Sequence, residues 1–460
     1  MDVLMIQLEK DRNTPLYEQL YMAIKEAITI GKISMGERLP SKRKLAEYLG
    51  VSQTTTELAY SQLLAEGYIT SQPRKGYYVQ NIEELAFIEK EISPLSLDEI
   101  TKSYAIDFSP GKIDLDAFPF TTWRKYAKDI MHEDNKELLQ LGHPQGDIIL
   151  RQQIATYLYQ SRGVICTADQ IILGSGTEQL MPLIIRLLGK NAFYAFEDPG
   201  YPLTHHLFLD ENSVPISVDE EGIILTELEH SPASVMYVTP SHQFPTGAVL
   251  SASRRSQLLA WAYQKNNRYI IEDDYDSEFR YVGRPFPSLQ GMDQNDRVIY
   301  LSTFSKSLMP SLRMAYAVLP GSLLKLYKER FSYYSATVPR IDQYILAKFM
   351  EDGHFAKHLN RMRKIYKRKL EIILHTLSQY APLVKLSGEQ AGMHLVLTIN
   401  STKTEQELVS LANDADIRIF GLSEYTSKKQ TGSPQLLLGF GGIPTDQVSS
   451  SIHQLMNSIK

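Results

Sequence analysis

The chain has 460 residues, too many for one compact core, so two or three domains are expected. Hydrophobic residues make up 43% and charged residues 22%, a globular balance, and a formal net charge of -5 excludes attraction to nucleic acid by bulk charge, so any DNA contact must come from a local patch. A single cysteine, Cys166, excludes an intrachain disulfide and suits a reducing, cytoplasmic setting; Met1 to Thr14 lack the layout of a signal peptide, and no apolar run reaches membrane-spanning length.

Residues 1–80 read as a unit of their own. Leu16, Leu20, Ile24 and Ala27 or Ile28 recur at helical spacing after Pro15, ending near Gly31. Gly36 to Pro40 break that pattern, Ser41 is placed to cap a short helix carrying Leu45, Ala46 and Leu49, and Gly50 stops it. Ser52 caps a third helix that runs through Leu58, Ala59, Leu63 and Leu64 to Gly67. Tyr68 to Thr70 and Gly76 to Val79 predict two strands joined by a turn. Two helices around Gly50-Val51-Ser52 followed by a hairpin have the layout of a winged helix-turn-helix. The third helix would present Ser52, Gln53, Thr54, Thr55 and Thr56 to a major groove. Lys42, Arg43 and Lys44 before it, with Arg74 and Lys75 at the wing tip, supply an electrostatic footprint for double-stranded DNA. On spacing alone, a structural module with a solvated cationic face fits equally well.

Residues 81–104 are acidic and helix-tolerant without a clear buried face, which predicts a linker. From residue 105 to 460, short β-rich runs alternate with helical patterns, the mark of an α/β domain with a mainly parallel sheet. Strands are expected at Ile171 to Leu173, Ala192 to Phe196, Val235 to Thr239, Tyr269 to Glu272, Val298 to Leu301 and Met314 to Val318. This large subdomain, about 105–345, gives way to a smaller α+β subdomain, about 346–460, with a long helix near Phe355 to Tyr380 and strands at Met393 to Thr398 and Leu436 to Phe440.

The chemistry-bearing residues sit at predicted strand ends. Lys306 follows one strand with Thr303, Ser305 and Arg313 around it: an amine, two hydroxyls and a fork suited to a phosphate. Asp273 and Tyr275 end another strand, and Gly174-Ser-Gly176-Thr177-Glu178 lies between a strand and a helix, where backbone N–H groups face an anion. Tyr201 closes Glu197-Asp-Pro-Gly-Tyr. Together these supply what pyridoxal 5′-phosphate (PLP) requires: a lysine for its aldehyde, a carboxylate for its ring nitrogen, a phosphate cradle and a stacking ring. The acidic run Glu272, Asp273, Asp274, Asp276 and Glu278 leaves a divalent-metal site as the lesser alternative, and no metal is expected.

The string Leu39 to Ser52, with Ala59 to Tyr68 and Lys75 to Val79, resembles the GntR family of bacterial repressors, which implies DNA binding; Gln53 stands where that family commonly has arginine. The segments of the second domain resemble class I aminotransferases of fold type I. That resemblance implies that Lys306 forms the Schiff base, Asp273 binds the pyridine nitrogen, Tyr275 binds the phenolic oxygen, Tyr201 stacks, and Gly176, Thr177, Ser305 and Arg313 hold phosphate, with Glu178 and Thr303 beside them. Two departures stand out: Phe244 replaces the asparagine of the usual Asn-Pro-Thr-Gly, and Gln435 to Phe440 hold leucines where a substrate-carboxylate arginine is usual, leaving Arg418 as a spare candidate. The full chain resembles the MocR/GabR family of bacterial regulators. This implies a head-to-tail homodimer that senses a small amino compound by external aldimine formation and controls DNA binding; Leu203, where GABA-responsive members carry arginine, points away from GABA. The alternatives are a genuine aminotransferase with an accessory head, and a DNA-binding protein whose second domain binds no cofactor.

Overall fold

A computed structural model describes residues 8–9, 14–81, 103–208, 210–283, 287–428 and 432–460. The chain forms two compact units, Met1–Thr101 and Lys102–Lys460. Apart from its end residues, the expected linker lies outside the described residues, as does most of Met1 to Thr14.

The first unit is a winged helix-turn-helix. Helix α1 (Leu16–Thr29) buries Leu20, Ile24, Ala27 and Ile28, the stripe given by its spacing. Helix α2 (Lys42–Leu49) starts at Ser41, whose hydroxyl accepts from the Lys44 amide at 3.3 Å, and ends at Gly50, whose φ of 61° makes the left-handed turn that glycine adopts without strain. Helix α3 (Gln53–Ala65) starts at Ser52, which accepts from the Thr55 amide at 3.1 Å. Leu45, Ala59, Tyr60 and Leu63 pack with the α1 stripe into one core. Each fully buried leucine or isoleucine there contributes about 1.5–3 kcal/mol. The wing pairs β2 (Ile69–Gln72) with β3 (Gly76–Val79), and a third strand, β1 (Arg38–Leu39), joins the other edge of β3. Two residues are too few to show periodicity, so β1 left no signal in the sequence.

The second unit is built on an eight-stranded mixed sheet. Its strands run in the order Ile171–Gly174, Ala315–Val318, Val298–Thr303, Tyr269–Asp273, Val235–Val238, Tyr194–Asp198, Ser213–Asp219 and Gly222–Ile223. All six expected strands are present. The central ones are buried almost throughout, because helices cover both faces, which is why they read as continuous apolar runs. The half-buried Ser213–Asp219, carrying Pro215, lacks such a run and was not expected.

One strand sets the site. Ala315–Val318 is antiparallel to both neighbours, with Ala315 opposite Gly174 on one side and Thr303 on the other. Its reversed direction brings its first residue to the edge where those two strands end, so Arg313 enters where Gly176 and Lys306 lie.

The smaller subdomain holds the 25-residue helix His354–Ser378 and an antiparallel sheet ordered Val384–Ser387, His394–Ile399, Gln435–Gly439, Phe420–Gly421. Its core includes Leu370, Ile373, Leu395, Leu397, Leu436 and Leu438. Among the described residues no helix is long and apolar enough to cross a membrane.

Candidate functional site

A cavity of about 270 Å³ opens at the strand ends of the large sheet. Its wall contains all ten residues expected around a cofactor: Lys306, Asp273, Tyr275, Tyr201, Gly176, Thr177, Glu178, Thr303, Ser305 and Arg313. They come from five separate segments; four end a strand or open a helix, and Arg313 leads into the strand Ala315–Val318.

Lys306 sits in the short helix Phe304–Ser307 directly after Val298–Thr303. Thr303 caps it, accepting from the Ser305 amide at 3.1 Å, and the two hydroxyls lie 2.9 Å apart. The lysine is half-buried and its ammonium donates to the Pro110 carbonyl. Burial pulls its pKa down to about 8, opposed by the charge of Asp276, so its nitrogen is far closer to the free amine than a surface lysine.

Asp273 is 6% exposed and accepts a hydrogen bond from the Tyr237 hydroxyl. Burial raises its pKa to about 7; the Tyr237 bond opposes this, while Asp274 and Asp276 add to it. A buried carboxyl in that state gains most from a cation placed against it.

The opposite end of the cavity is an anion cradle. Gly176, with φ of 139°, precedes the helix Thr177–Leu188, whose first turn has no side-chain cap. A Cβ on Gly176 would lie 2.4 Å from both Arg313 Nη2 and Glu178 Oε2 and push aside the pair formed over it, at a φ that itself favours glycine. That pair, Arg313 to Glu178 at 2.8 Å, is half-exposed and of little energetic worth. Tyr201 and Tyr275 line the remaining wall; Phe244 lies between them, edge-on to the first at 5.7 Å and to the second at 6.3 Å.

The acidic run does not converge on one point. Glu272 accepts from the Leu289 and Gln290 amides, Asp274 pairs with Arg162 at 2.6 Å, and the Glu278 carboxylate takes the Tyr157 hydroxyl. Arg418 lies outside the cavity, its guanidinium over the Tyr104 and Phe420 rings.

Several wall residues were not singled out in the sequence: Pro110, Gly111, Thr239, Met393 and His394, with Tyr237 behind Asp273; Asp276 was read only as part of the acidic run. Tyr237 alone had a signal, since it lies two positions before Thr239 in the same run and the two-residue period puts both on one face. Pro110, Met393 and His394 arrive from distant segments by tertiary packing.

In the first unit, Gln53 and Thr54 are exposed, Ser52 and Thr55 bond each other at 2.8 Å, and Thr56 is turned into the core. The Thr56 hydroxyl donates to the Lys42 and Gln53 carbonyls, so it ties α2 to α3 and offers no side chain to a groove. Lys42 is paired with Glu57 at 2.6 Å and Arg43 with Glu47 at 3.0 Å. Lys44, Arg74 and Lys75 are exposed and have no ion-pair partner among the described residues.

The fold and the cavity define an aminotransferase-type body carrying a helix-turn-helix head. Residues 104–433 match the aminotransferase class I and II family, and residues 16–79 match the gntR family of bacterial regulatory proteins. The chain is 41% identical to YdeL of Bacillus subtilis, an uncharacterized HTH-type transcriptional regulator, over 97% of each chain. It is 31% identical to MocR of Rhizobium meliloti, a probable rhizopine catabolism regulatory protein, over 99% of this chain and 96% of the relative. Among solved structures it is similar in fold to the kynurenine aminotransferase of Pyrococcus horikoshii, crystallised with PMP, with a TM-score of 0.68 and 24% identity over 78% of this chain and 91% of that one. The chain belongs to the MocR family of HTH-type transcriptional regulators, in which a GntR-type head is joined to an aminotransferase domain.

Proposed function

We propose that this regulator binds PLP in the body's cavity, senses a small amino compound there, and adjusts the DNA binding of its head accordingly. The observation that carries this reading is the meeting, in one cavity, of a lysine with a lowered pKa, a buried carboxyl and a glycine-floored anion cradle. When bound, PLP supplies an aldehyde that condenses with primary amines and a ring that draws electrons from them.

The chain's own residues suit that group. Lys306 offers an amine of which far more is unprotonated at neutral pH than in a surface lysine. Asp273 holds a proton at the ring nitrogen, and that cation in turn favours the aspartate's ionised form. Arg313, Ser305, Thr303 and the amides of Thr177 and Glu178 converge on the phosphate position, Arg313 exchanging its weak partner Glu178 for a dianion. Tyr201 would stack on the ring, and the Tyr275 hydroxyl would donate to the phenolic oxygen, both side chains lining the cavity. Phe244 offers no second donor to that oxygen, and the cavity's only cations among the described residues, Lys306 and Arg313, are both engaged with PLP; this favours sensing over rapid turnover. In the head, Gln53 and Thr54 face base edges, and Lys44, Arg74 and Lys75 face phosphates. The reading includes a homodimer acting on operator DNA in the cytoplasm.

Full-length protein mixed with PLP is expected to show the visible absorbance of a lysine-bound cofactor, and Lys306→Ala to abolish it. Amines that alter this spectrum should also alter operator affinity in a gel-shift titration. Protein that stays colourless would remove the cofactor from the reading, and spectral changes without any change in DNA binding would remove the sensing.

A further inference from the structure

Beside the cavity lies a buried group that the proposed chemistry does not use: His242, Asp276 and His394, none more than 2% exposed. His242 follows the strand Val235–Val238 in the loop that leads to Phe244, and it does not line the cavity. Its ring is clamped. The His394 ring lies 4.5 Å away, and a Cβ on Gly392 would come within 2.0 Å of His242 Cε1 and 2.7 Å of the Asp276 carboxylate. His394 is itself tied to the Pro245 carbonyl at 3.2 Å and kept neutral by burial. These contacts leave the imidazole one orientation.

That orientation determines where its proton sits. Asp276 Oδ2 lies 2.9 Å from His242 Nδ1, and a carboxylate only accepts, so Nδ1 carries the hydrogen. The Tyr275 oxygen is 3.1 Å from the same nitrogen, and its hydroxyl donates to the His242 carbonyl at 3.0 Å. A nitrogen that carries hydrogen cannot take the phenol's proton. The Nδ1–H is therefore shared between the carboxylate and the phenol oxygen, and the tyrosine's own proton rests on the His242 carbonyl. An oxygen that receives a hydrogen bond also donates a stronger one. The charged and titratable groups facing Tyr275 are Asp276, Asp273, Glu197 and Asp274, with His394 and Lys306 across the imidazole.

We propose that His242, locked by Asp276, is the positioning residue for Tyr275: its Nδ1–H holds the phenol oxygen and its carbonyl holds the phenol's proton, which an acceptor arriving in the cavity would take over from that carbonyl. This rests on the reading that PLP occupies the cavity. His242 acts through the tyrosine, and with Phe244 contributing no polar atom, this one hydroxyl is the contact through which the loop reaches the phenolic oxygen.

The test reads the pH midpoint of the visible absorbance of full-length protein loaded with PLP. Removing the donor in Tyr275→Phe raises the proton affinity of the chromophore, so the midpoint is expected to rise by about one pH unit. Asparagine places an amide N–H where Nδ1–H was, so His242→Asn should keep the midpoint within about 0.2 unit. Glutamine, equally polar, carries its amide past that point; His242→Gln should raise the midpoint by about half a unit or more. The double variant His242→Gln/Tyr275→Phe should match Tyr275→Phe alone, since both act on one bond. Glutamine and asparagine variants that both match the unsubstituted protein would overturn the proposal, as would shifts that add in the double variant. Unsubstituted protein that takes up no PLP overturns the cofactor reading itself and this inference with it, a result distinct from the other two.

Discussion

The head and the body use positive charge in opposite ways. In the head, Arg43, Lys44, Arg74 and Lys75 are exposed, while Arg43 and the half-buried Lys42 are already paired with Glu47 and Glu57. In the body, the half-buried Lys306 and the half-exposed Arg313 stand in a cavity whose wall also carries Glu178, Asp273 and Asp276. An exposed cation acts at long range and is screened by salt; a cavity cation acts at one point, with a strength set by burial. The head's charges thus suit a repetitive polyanion, and the body's suit one ligand in one pose.

The body's side of this contrast has the larger expected effect. Arg313→Gln removes a charge-assisted contact worth about 1.5–3 kcal/mol, so PLP affinity should fall by roughly ten- to a hundredfold. Pyridoxal, which lacks the phosphate, should bind both proteins alike. Equal losses for the two ligands in a fluorescence titration would show that Arg313 supports the fold rather than the phosphate.

The head should respond to salt instead. Lys75→Ala is expected to lower the slope of log affinity against log salt by about 0.9, with a smaller effect for Lys42→Ala because Glu57 already neutralises that charge. Gln53→Ala should leave the slope alone and cost about 1–3 kcal/mol on the specific operator only. If Lys42→Ala gives the larger change in slope, its ion pair opens on DNA and the contrast narrows.

The smallest effect is one of pH on stability. Glu197, Asp273 and Glu278 are buried with pKa values raised to about 7, so the folded body holds protons that the unfolded chain releases from about pH 4.5 upward. Where the folded state binds more protons, stability falls as pH rises. These carboxyls lower the body's thermal midpoint between about pH 5 and pH 7.5, against the buried His358 and His394, whose lowered pKa values add stability as pH rises; the carboxyl part should be smaller with PLP bound, because a cation at Asp273 already favours its ionised form. Lys306 works the other way: with its pKa lowered to about 8, it adds stability only as pH rises from there toward 10.5. A midpoint rising across the acid range would exclude net control by the buried carboxyls.

Legibility in the sequence followed the range of the interactions involved. The caps at Ser41 and Ser52, the stop at Gly50 and the apolar strands rest on neighbours within four residues or on unbroken runs, and all were readable. The ten cavity residues were readable because each lies beside a strand end that composition marks. Three things were hidden. The strand β1 is too short, Ser213–Asp219 is too polar, and the side chains that complete the cavity come from chain segments far apart in sequence. Thr56 misled for a related reason: its place in α3 was evident, but which way it faced depended on α2 packing against it.

The reversed strand Ala315–Val318 also bears on which changes in length the body can absorb. Arg313 and Lys306 belong to one short crossing between antiparallel neighbours, and the pairing of Ala315 with both Thr303 and Gly174 fixes how much chain that crossing holds. One residue added or removed there would either carry Arg313 away from the glycine floor or slip the strand and reverse the facing of every side chain in it. The exposed residues Asp219 to Glu221 lead into the edge strand Gly222–Ile223 and meet no such condition. Insertions among relatives should therefore gather at the sheet's far edge, while the stretch from Lys306 to Arg313 keeps its length even where its residues change.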